Sequence, residues 1–244
     1  MKKKSFFSLF TSSTNVKCIG IVLGIFLLST ATGNSAITTY ASTIFVPTDK
    51  ISASDFTIFY GIAQFAAVCF SPFIVEKVNR RTLLIGCFIG FMFSNSCTYL
   101  LLTLHNSGYE IAYYPWLLFS SVSVYVSLYA IMCSGTYLVR GELLPLSVRA
   151  IGGSMAITLQ SLTSFSVSKM FFPITQSFGM GVNFLGYLVS ATFVTIFTYF
   201  MLPEMRGKSL EEIQKLFSKK TDKQIYVEDK CDENTCVSKE FGSA

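Results

Sequence analysis

Charged residues are scarce in this sequence, since only 14% of its 244 residues are charged whereas 51% are hydrophobic. An average soluble domain carries about 25% charged residues, and the mean hydropathy here is high, at +0.53. Histidine is almost absent, because His105 is the single one and lies in a predicted outer loop. This argues against metal-binding helices and histidine-based catalytic triads. We therefore expect neither an enzyme nor a bound cofactor or metal.

The few charges leave six long uncharged intervals along the chain. Each is close to or above the roughly 20 residues that a helix needs to cross a bilayer core. Because unpaired backbone amides are costly in hydrocarbon, such segments must be helices or strands of a closed barrel. Barrel strands alternate apolar and polar residues, which the run 19–28 does not. We predict an all-α membrane protein with six transmembrane helices. The predicted spans are residues 18–39, 56–75, 82–104, 116–137, 151–172 and 182–202.

The net charge of +5 reflects membrane topology rather than nucleic-acid binding. The basic residues lie in short loops between the spans, and only Lys50 and Lys169 of the 19 face or approach the outer side. By the positive-inside rule, this distribution places both termini in the cytoplasm. A signal peptide is the alternative interpretation of the basic N-terminus. Lys17, however, separates the first short apolar run from a much longer span, which is unlike a signal peptide.

The composition divides the chain into four segments. Residues 1–17 form a cytosolic N-terminal segment, and residues 18–203 form the transmembrane bundle. Residues 204–217 contain a capping-box pattern followed by apolar residues at helical spacing, which predicts a short amphipathic helix on the inner membrane face. Residues 218–244 are rich in charge and poor in apolar residues, which predicts a disordered cytosolic tail.

Two loops on the predicted inner side contain both acidic and basic residues. One is Glu76-Lys-Val-Asn-Arg-Arg81, between spans two and three, and the other runs from Arg140 to Arg149, between spans four and five. The basic residues could serve as topology anchors alone. Acids contribute little to topology, so we favour a second interpretation, in which Glu76 and Glu142 pair with Arg80, Arg81 or Arg149 across helix ends.

Four segments resemble signature motifs of the sugar porters of the major facilitator superfamily, in family order and at family spacing. They are Gly33 to Phe45, which is similar to the seventh-helix segment; Phe73 to Leu83, which is similar to the loop with two arginines; Glu142-Leu-Leu-Pro-Leu-Ser-Val-Arg149; and Leu202-Pro-Glu-Met-Arg-Gly-Lys-Ser-Leu-Glu-Glu-Ile213, which is similar to the motif after the last helix. The resemblance covers residues 4 to about 217, and insect trehalose transporters are the subgroup that it suggests.

This resemblance implies the C-terminal half of a twelve-helix major facilitator fold, built as two inverted three-helix repeats. It further implies transport of a sugar, of the trehalose or hexose class, by alternating-access facilitated diffusion. In the family, charges on the inner face close the cytoplasmic side of the outward-open state. The corresponding gate residues here are Glu76, Arg80, Arg81, Glu142, Arg149 and Glu204.

The resemblance also implies where a sugar binds. Ungapped counting from the motifs places the family's sugar-contacting positions on Ser29, Thr30, Ser35, Gln64 and Gln160. To these candidates we add two aromatic residues, Tyr40 and Tyr137. Long amides can grip sugar hydroxyls as donor and acceptor, whereas serine and threonine are short. The alternative for Ser29, Thr30 and Ser35 is packing, because small hydroxyl residues commonly line the interfaces of membrane helices.

The resemblance also implies the partners and the location of the protein. We expect it to contact membrane lipid, a small sugar and either a missing N-terminal six-helix half or a full-length relative, and we expect no nucleic acid. We expect a multi-pass protein of the plasma membrane. The alternative function is that of a truncated relative that does not transport but pairs with a full-length transporter and regulates it.

Overall fold

The computed structural model describes residues 13–45, 52–108, 113–144 and 148–202. All regular secondary structure in these ranges is helical. The eight helices are α1 (Ser13–Thr30), α2 (Asn34–Thr39), α3 (Ala41–Ile44), α4 (Ala53–Lys77), α5 (Arg80–Asn106), α6 (Tyr114–Leu143), α7 (Arg149–Phe178) and α8 (Met180–Met201). Residues 204–217, the predicted amphipathic helix, and the predicted tail 218–244 lie outside the described residues.

Within the described ranges, five segments are long and apolar enough to cross a membrane: Val16–Thr39, Ala53–Lys77, Arg80–Asn106, Tyr114–Leu143 and Met180–Met201. They correspond to five of the six predicted spans. The fifth predicted span, 151–172, lies within α7, which has 30 residues but is not among the five. This helix is long enough, at about 45 Å. It is less apolar because serine, threonine, glutamine and lysine recur along it.

The helices extend beyond the uncharged intervals that predicted them. For instance, α4 begins three residues before the predicted span and ends with Glu76 and Lys77 inside its last turn. Its start is fixed by a capping box, in which the Ser52 hydroxyl accepts a hydrogen bond from the Asp55 amide while the Asp55 carboxylate accepts from the Ser52 amide. Likewise, α1 begins at Ser13, five residues before the first predicted span.

The bundle is organised around α5, which packs along both α6 and α8. In addition, α4 packs on α6, and α1 packs on α7 and α8. The α5–α6 contact is close because small residues face large ones: a Cβ on Gly135 would lie 2.8 Å from the side chain of Leu83, and one on Gly90 would lie 2.4 Å from that of Leu128. Such close approach favours association of membrane helices, for which lipid provides no hydrophobic driving force.

Hydroxyl groups add polar contacts across the same interface. Ser94 donates to the backbone carbonyl of Ser121 at 2.6 Å, and the Ser121 hydroxyl donates back to the carbonyl of Ser94 at 3.0 Å. Thr98 lies 2.8 Å from the Ser121 hydroxyl. Interhelical hydrogen bonds of this kind stabilise a bundle in a medium that offers no competing water. They fix the register of α5 against α6, and therefore the position of every side chain that α6 presents to the rest of the bundle.

Candidate functional site

The first predicted span is a broken helix. Its helical part α1 ends at Thr30, residues 31–33 turn, and α2 begins at Asn34. Gly33 makes the turn in the left-handed region, with φ of 99°, and a Cβ there would lie 2.5 Å from the ring of Tyr187 on α8. Glycine is therefore required at this position both for its backbone conformation and for space. Irregular backbone at membrane depth is tolerated where it is buried in protein or lines a cavity, as in transporter binding sites.

Tyr125 of α6 stabilises this break. Its fully buried hydroxyl donates to the backbone carbonyl of Thr32 at 3.0 Å and lies 3.0 Å from the Thr32 hydroxyl. Thr32 in turn donates to the carbonyl of Ser29 at 2.6 Å. Carbonyls released by the break thus find partners within the bundle, which removes the cost of leaving them unpaired in a low-dielectric interior. Sequence reasoning missed both the break and Tyr125, although Thr32-Gly33 was a signal for a turn.

Three of the predicted sugar contacts form bonds within the bundle. The hydroxyls of Ser29 and Thr30 both donate to the carbonyl of Phe26, at 3.2 and 2.7 Å, and only 4% and 3% of these residues is exposed. Ser35 donates to the carbonyl of Ser164 at 3.2 Å and thereby joins α2 to α7. The protons of these three hydroxyls are therefore donated to backbone acceptors within the bundle.

Tyr40 and Gln64, two further predicted contacts, lie apart from each other. The ring of Tyr40 stacks on Phe171 at a centroid distance of 4.9 Å and meets Phe172 edge-on at 4.7 Å. It therefore forms part of an aromatic contact between the α2–α3 segment and α7. Gln64 is half-exposed on α4, and its amide makes no hydrogen bond to another described residue. Its donors and acceptor are thus free on that helix.

Tyr137 and Gln160 are the two predicted contacts that the fold brings together. The hydroxyl of Tyr137 on α6 donates to the amide oxygen of Gln160 on α7 at 3.5 Å. Tyr137 is 40% exposed, and Tyr129, about two helical turns earlier on the same face of α6, also lies beside the Gln160 amide. A phenol and an amide side by side offer both donors and acceptors, which is the chemistry that recognises sugar hydroxyls. We refer to Tyr137, Gln160 and Tyr129 as the α6–α7 cluster.

Arg140 lies one turn from Tyr137 and borders this cluster. Its guanidinium carbon is 5.0 Å from the centroid of the Tyr137 ring and 5.8 Å from that of Phe26 on α1. The rings of Phe26 and Tyr137 meet edge-on at 5.6 Å, so they form a corner that holds the cation. The Nη1 atom of Arg140 is buried and has no hydrogen-bond partner. Sequence analysis treated Arg140 only as a member of a basic inner loop.

The predicted gate charges that the structure describes lie at helix ends. Arg80 at the start of α5 pairs with Glu142 at the end of α6, with Nη2 3.3 Å from Oε1, and its Nη1 donates to the backbone carbonyl of Val75. The side chains are 15% and 34% exposed, respectively. The second carboxylate oxygen of Glu142 is buried and has no partner. This ion pair joins the start of α5 to the end of α6.

The other predicted gate residues occupy helix ends in different ways. Arg81 donates to the carbonyl of Tyr199 at 2.6 Å and stacks on its ring, which links α5 to the end of α8. Arg149 donates to the carbonyl of Leu144 at 3.3 Å and so closes the loop between α6 and α7. Glu76 is exposed at the end of α4 and makes no ion pair with a described residue. Glu204 lies outside the described residues.

The outward face of α7 carries a polar stripe. Ser154, Thr158, Ser161 and Lys169 are exposed there at helical spacing, with Phe165 between them. Each of the three hydroxyls donates to a carbonyl three to four residues earlier in its own helix. The ammonium of Lys169 lies 5.8 Å from the centroid of the Phe165 ring. A stripe of this kind explains why α7 is less apolar than the other long helices, and it favours a polar or protein neighbour over lipid.

The described residues contain no group of three or more histidine, cysteine, aspartate or glutamate side chains that could hold a metal ion. The chemistry that they do offer is hydrogen bonding by hydroxyls and amides, aromatic stacking and positive charge. These interactions recognise small polar molecules without transforming them.

The chain resembles known transporters along most of its length. It is 31% identical over 209 residues to the probable polyol transporter 6 of Arabidopsis thaliana, covering 82% of this chain and 42% of the relative. It is 28% identical over 207 residues to the facilitated trehalose transporter Tret1 of Polypedilum vanderplanki, covering 83% of this chain and 40% of the relative. This chain thus spans about two fifths of the length of the curated relatives that it matches.

The fold has a counterpart among solved structures. The inward-open conformation of the xylose transporter XylE from E. coli superposes with a TM-score of 0.69, at 20% sequence identity, over 86% of this chain and 44% of that one. The family described as "Sugar (and other) transporter" matches residues 1–217. Its members transport rather than catalyse, in agreement with the absence of a catalytic motif. The chain is an integral membrane protein that belongs to the sugar transporter family of the major facilitator superfamily.

Proposed function

We propose that this chain is the C-terminal half of a sugar facilitator. In this proposal it binds a sugar of the trehalose or hexose class and moves it by alternating access, together with an N-terminal six-helix half. The observation that carries the proposal is the α6–α7 cluster, in which Tyr137 and Gln160 come from different helices and present hydroxyl-recognising groups at a partly exposed position. The trehalose, polyol and xylose transporters that the chain resembles support a polyhydroxylated substrate.

We further propose that α7 is a sixth transmembrane helix, which completes two inverted three-helix repeats. Its length and its direct packing on α1 and α8 support this assignment, and its polar stripe fits a neighbour in the other half of the transporter. The packing is consistent with a repeat of α1, α4 and α5 by α6, α7 and α8. In this repeat α1 is equivalent to α6, α4 to α7 and α5 to α8. The contact between α4 and α6 is then equivalent to that between α7 and α1, and the contact between α5 and α6 to that between α8 and α1. The contact between α7 and α8 has no equally extensive counterpart between α4 and α5.

The proposed orientation places both termini in the cytoplasm of a cell whose plasma membrane holds the protein. The arginines at the inner ends of α5, α6 and α7 support this orientation through the positive-inside rule. In that arrangement the Arg80–Glu142 pair lies at the cytoplasmic side, where it would hold α5 and α6 together while the two halves rock around the substrate. We assign Glu76, Arg81, Arg149 and Glu204 to the same gate.

Uptake into proteoliposomes tests the proposal. Labelled trehalose, glucose and sorbitol are offered to this chain alone and to the chain joined to the N-terminal six helices of a transporter of the same family. We expect uptake only by the joined form, because a half-bundle closes only one side of a central pathway. Folded protein that transports none of the three in either form would refute transport and favour the alternative, a relative that regulates a full-length transporter.

Two substitutions test the α6–α7 cluster in the joined form. Gln160→Ala and Tyr137→Phe should each raise the half-saturation concentration about tenfold, because one hydrogen bond to a sugar is worth about 1–1.5 kcal/mol. Thr192→Ala is the matched control, since that hydroxyl donates within α8 to the carbonyl of Leu188. Unchanged half-saturation in both cluster variants would remove the cluster from the binding site.

A further inference from the structure

Acidic side chains are confined to the helix ends in the described part of the chain. There are three: Asp55 in the first turn of α4, Glu76 in its last turn, and Glu142, which is paired with Arg80. Among the described residues, the one carboxylate with a buried oxygen that has no partner is that of Glu142, which already pairs with Arg80 through its other oxygen. The two helices of the α6–α7 cluster carry three cations, which are Arg140 in the last turn of α6, Arg149 at the start of α7 and Lys169 within α7, against the single acid Glu142. The side of the bundle that contains the α6–α7 cluster is consequently positive.

Arg140 differs from the other three arginines of the described residues. Arg80, Arg81 and Arg149 each donate to a backbone carbonyl at a helix end, which is the ordinary role of arginine at such positions. Arg140 is also in the last turn of its helix, but its guanidinium makes no hydrogen bond or ion pair with a described residue. Within the described residues it serves neither as a helix cap nor as half of an ion pair.

The position of the Arg140 guanidinium is instead fixed by aromatic rings. Side chains on a helix lean toward its N-terminus, which takes the guanidinium of Arg140 inward, to the level of Tyr137. There it contacts the rings of Tyr137 and Phe26 while Nη1 is buried without a partner. Burial of an unpaired cationic donor is unfavourable, and an anion with two acceptor oxygens removes that cost because it matches the planar fork of arginine.

The same tyrosine connects Arg140 to the proposed sugar site. The ring of Tyr137 contacts the guanidinium, and its hydroxyl donates to Gln160. Along α7, the aliphatic part of Arg140 approaches Gly153, with its Cδ 4.0 Å from the place of a Cβ on that residue. Gly153 precedes Gln160 by seven residues, or about 10 Å of helix. One ligand of monosaccharide or disaccharide size can therefore reach the amide of Gln160 and the guanidinium together.

We propose that the substrate of this site is an anionic sugar derivative, a sugar acid or a sugar phosphate, whose carboxylate or phosphate is bound by Arg140 while its hydroxyls contact Tyr137 and Gln160. This inference rests on the proposed function, since it specifies the substrate class of the same site. Lys169, about 13 Å nearer the other end of α7 than Gln160, has the same sign and adds to the attraction of an anion. Lipid phosphate does not explain the geometry, because Arg140 points between α1, α6 and α7.

Ligand-induced thermal stabilisation of the purified chain in neutral detergent tests the inference. The ligands are glucuronate and glucose 6-phosphate as anionic sugars, glucose and sorbitol as neutral ones, and inorganic phosphate as an anion without a sugar. A ligand that binds only the folded state raises the melting temperature with its concentration. We expect at least one anionic sugar to act at a concentration about tenfold or more below that of glucose. The two anionic sugars distinguish carboxylate from phosphate recognition.

Variants of Arg140 separate binding from a structural role. Arg140→Gln should weaken the anionic sugar about 10- to 100-fold and leave glucose unchanged, because only the charge-assisted contact is lost. Arg140→Lys should be intermediate, since it keeps the charge but not the fork. Lys77→Gln removes one positive charge from the exposed end of α4 and is the control. A purely structural arginine would lower the melting temperature of the free protein without changing this selectivity.

The outcomes are distinct. The inference is overturned if neutral and anionic sugars bind equally, or if the preference for anions persists in Arg140→Gln. Either result leaves the proposed function standing. An acid of the other half then becomes the expected partner of Arg140. Binding of inorganic phosphate as tightly as the anionic sugars also overturns it, because no sugar is then recognised. Folded protein that responds to none of the five ligands also overturns the inference, whereas the proposed function is decided separately by uptake through the joined form.

Discussion

Replacement of Gly33 by alanine should destabilise the turn between α1 and α2 and measurably lower the free energy of unfolding. Gly33 has φ of 99°, and a Cβ at this residue would lie 2.5 Å from the Tyr187 ring, which is itself buried. Left-handed backbone costs about 1–2 kcal/mol for a residue with a Cβ. Displacement of a packed aromatic ring adds about 1–3 kcal/mol. We therefore expect the Gly33→Ala variant to lose about 2–5 kcal/mol of unfolding free energy.

Titration with a denaturing detergent in mixed micelles, followed by circular dichroism, measures this loss. Gly20→Ala on α1 is the matched control, because nothing lies within 4 Å of a Cβ at that position. The control should be neutral or stabilising by up to about 1 kcal/mol, since alanine is a better helix former than glycine. In a double-mutant cycle with Tyr187→Ala, the further cost of Gly33→Ala should fall to the backbone part, about 1–2 kcal/mol.

The prediction is refuted if the unfolding free energy of the Gly33→Ala variant lies within about 0.5 kcal/mol of the wild-type value, because ordinary surface substitutions change it by that much. A cost that persists in full without the Tyr187 ring would refute the steric part alone. In either case the broken helix would be more adaptable than its packing against α8 implies.

Two further predictions concern polar contacts between helices. A double-mutant cycle on Arg80→Gln and Glu142→Gln should give a coupling free energy of about 1–3 kcal/mol. The pair is only partly exposed, whereas fully exposed ion pairs give less than about 1 kcal/mol. A coupling free energy near zero would show that the carboxylate is solvated. Tyr125→Phe should cost about 1–2 kcal/mol of unfolding free energy through loss of the bonds to Thr32, whereas Thr198→Val should be neutral or stabilising, because the Thr198 hydroxyl is buried without a partner. Equal losses in these two variants, measured by the same titration, would contradict the assignment of the buried hydrogen bonds.

Most of the helices could be predicted from the distribution of charge. The predicted spans 56–75, 82–104 and 116–137 lie inside α4, α5 and α6, respectively. The helices are longer than the spans because helix formation does not stop where charge begins, and long basic side chains at helix ends can reach the polar boundary. The helix α7, which contains the fifth predicted span, could be predicted from its long uncharged interval, but its polar stripe keeps it from being as apolar as the five other long segments.

The broken helix could not be predicted from the apolar run that contains it. Residues 18–39 read as one continuous span, yet Gly33 and Thr32 turn the chain because Tyr125 and Tyr187, on distant helices, supply the hydrogen bonds and the space. Glycine alone does not identify such a break, since Gly20 and Gly24 lie within α1 without interrupting it. Whether a glycine ends a helix in a membrane depends on partners that only tertiary packing supplies.

The candidate site, like the helices, could be predicted only in part from the sequence. Gln160 and Tyr137 could be named from motif spacing, but their contact depends on how α6 packs against α7. Ser29 and Thr30 could be named by the same counting, and the fold uses both hydroxyls on the carbonyl of Phe26. Hydroxyls bind equally well to a substrate or to the preceding helical turn, so the residue type cannot distinguish the two uses.

The sequence by itself determined that this chain is a helical membrane protein of the sugar transporter family, because scarcity of charge and motif spacing act over short stretches of chain and need no tertiary contacts. Only the tertiary structure decided which polar side chains bind to the protein itself and which stay available. The clearest case is Arg140, which in the sequence is one basic residue among several at the inner face. Its guanidinium packs against Phe26 and Tyr137, from two different helices, and its Nη1 atom has no hydrogen-bond partner among the described residues.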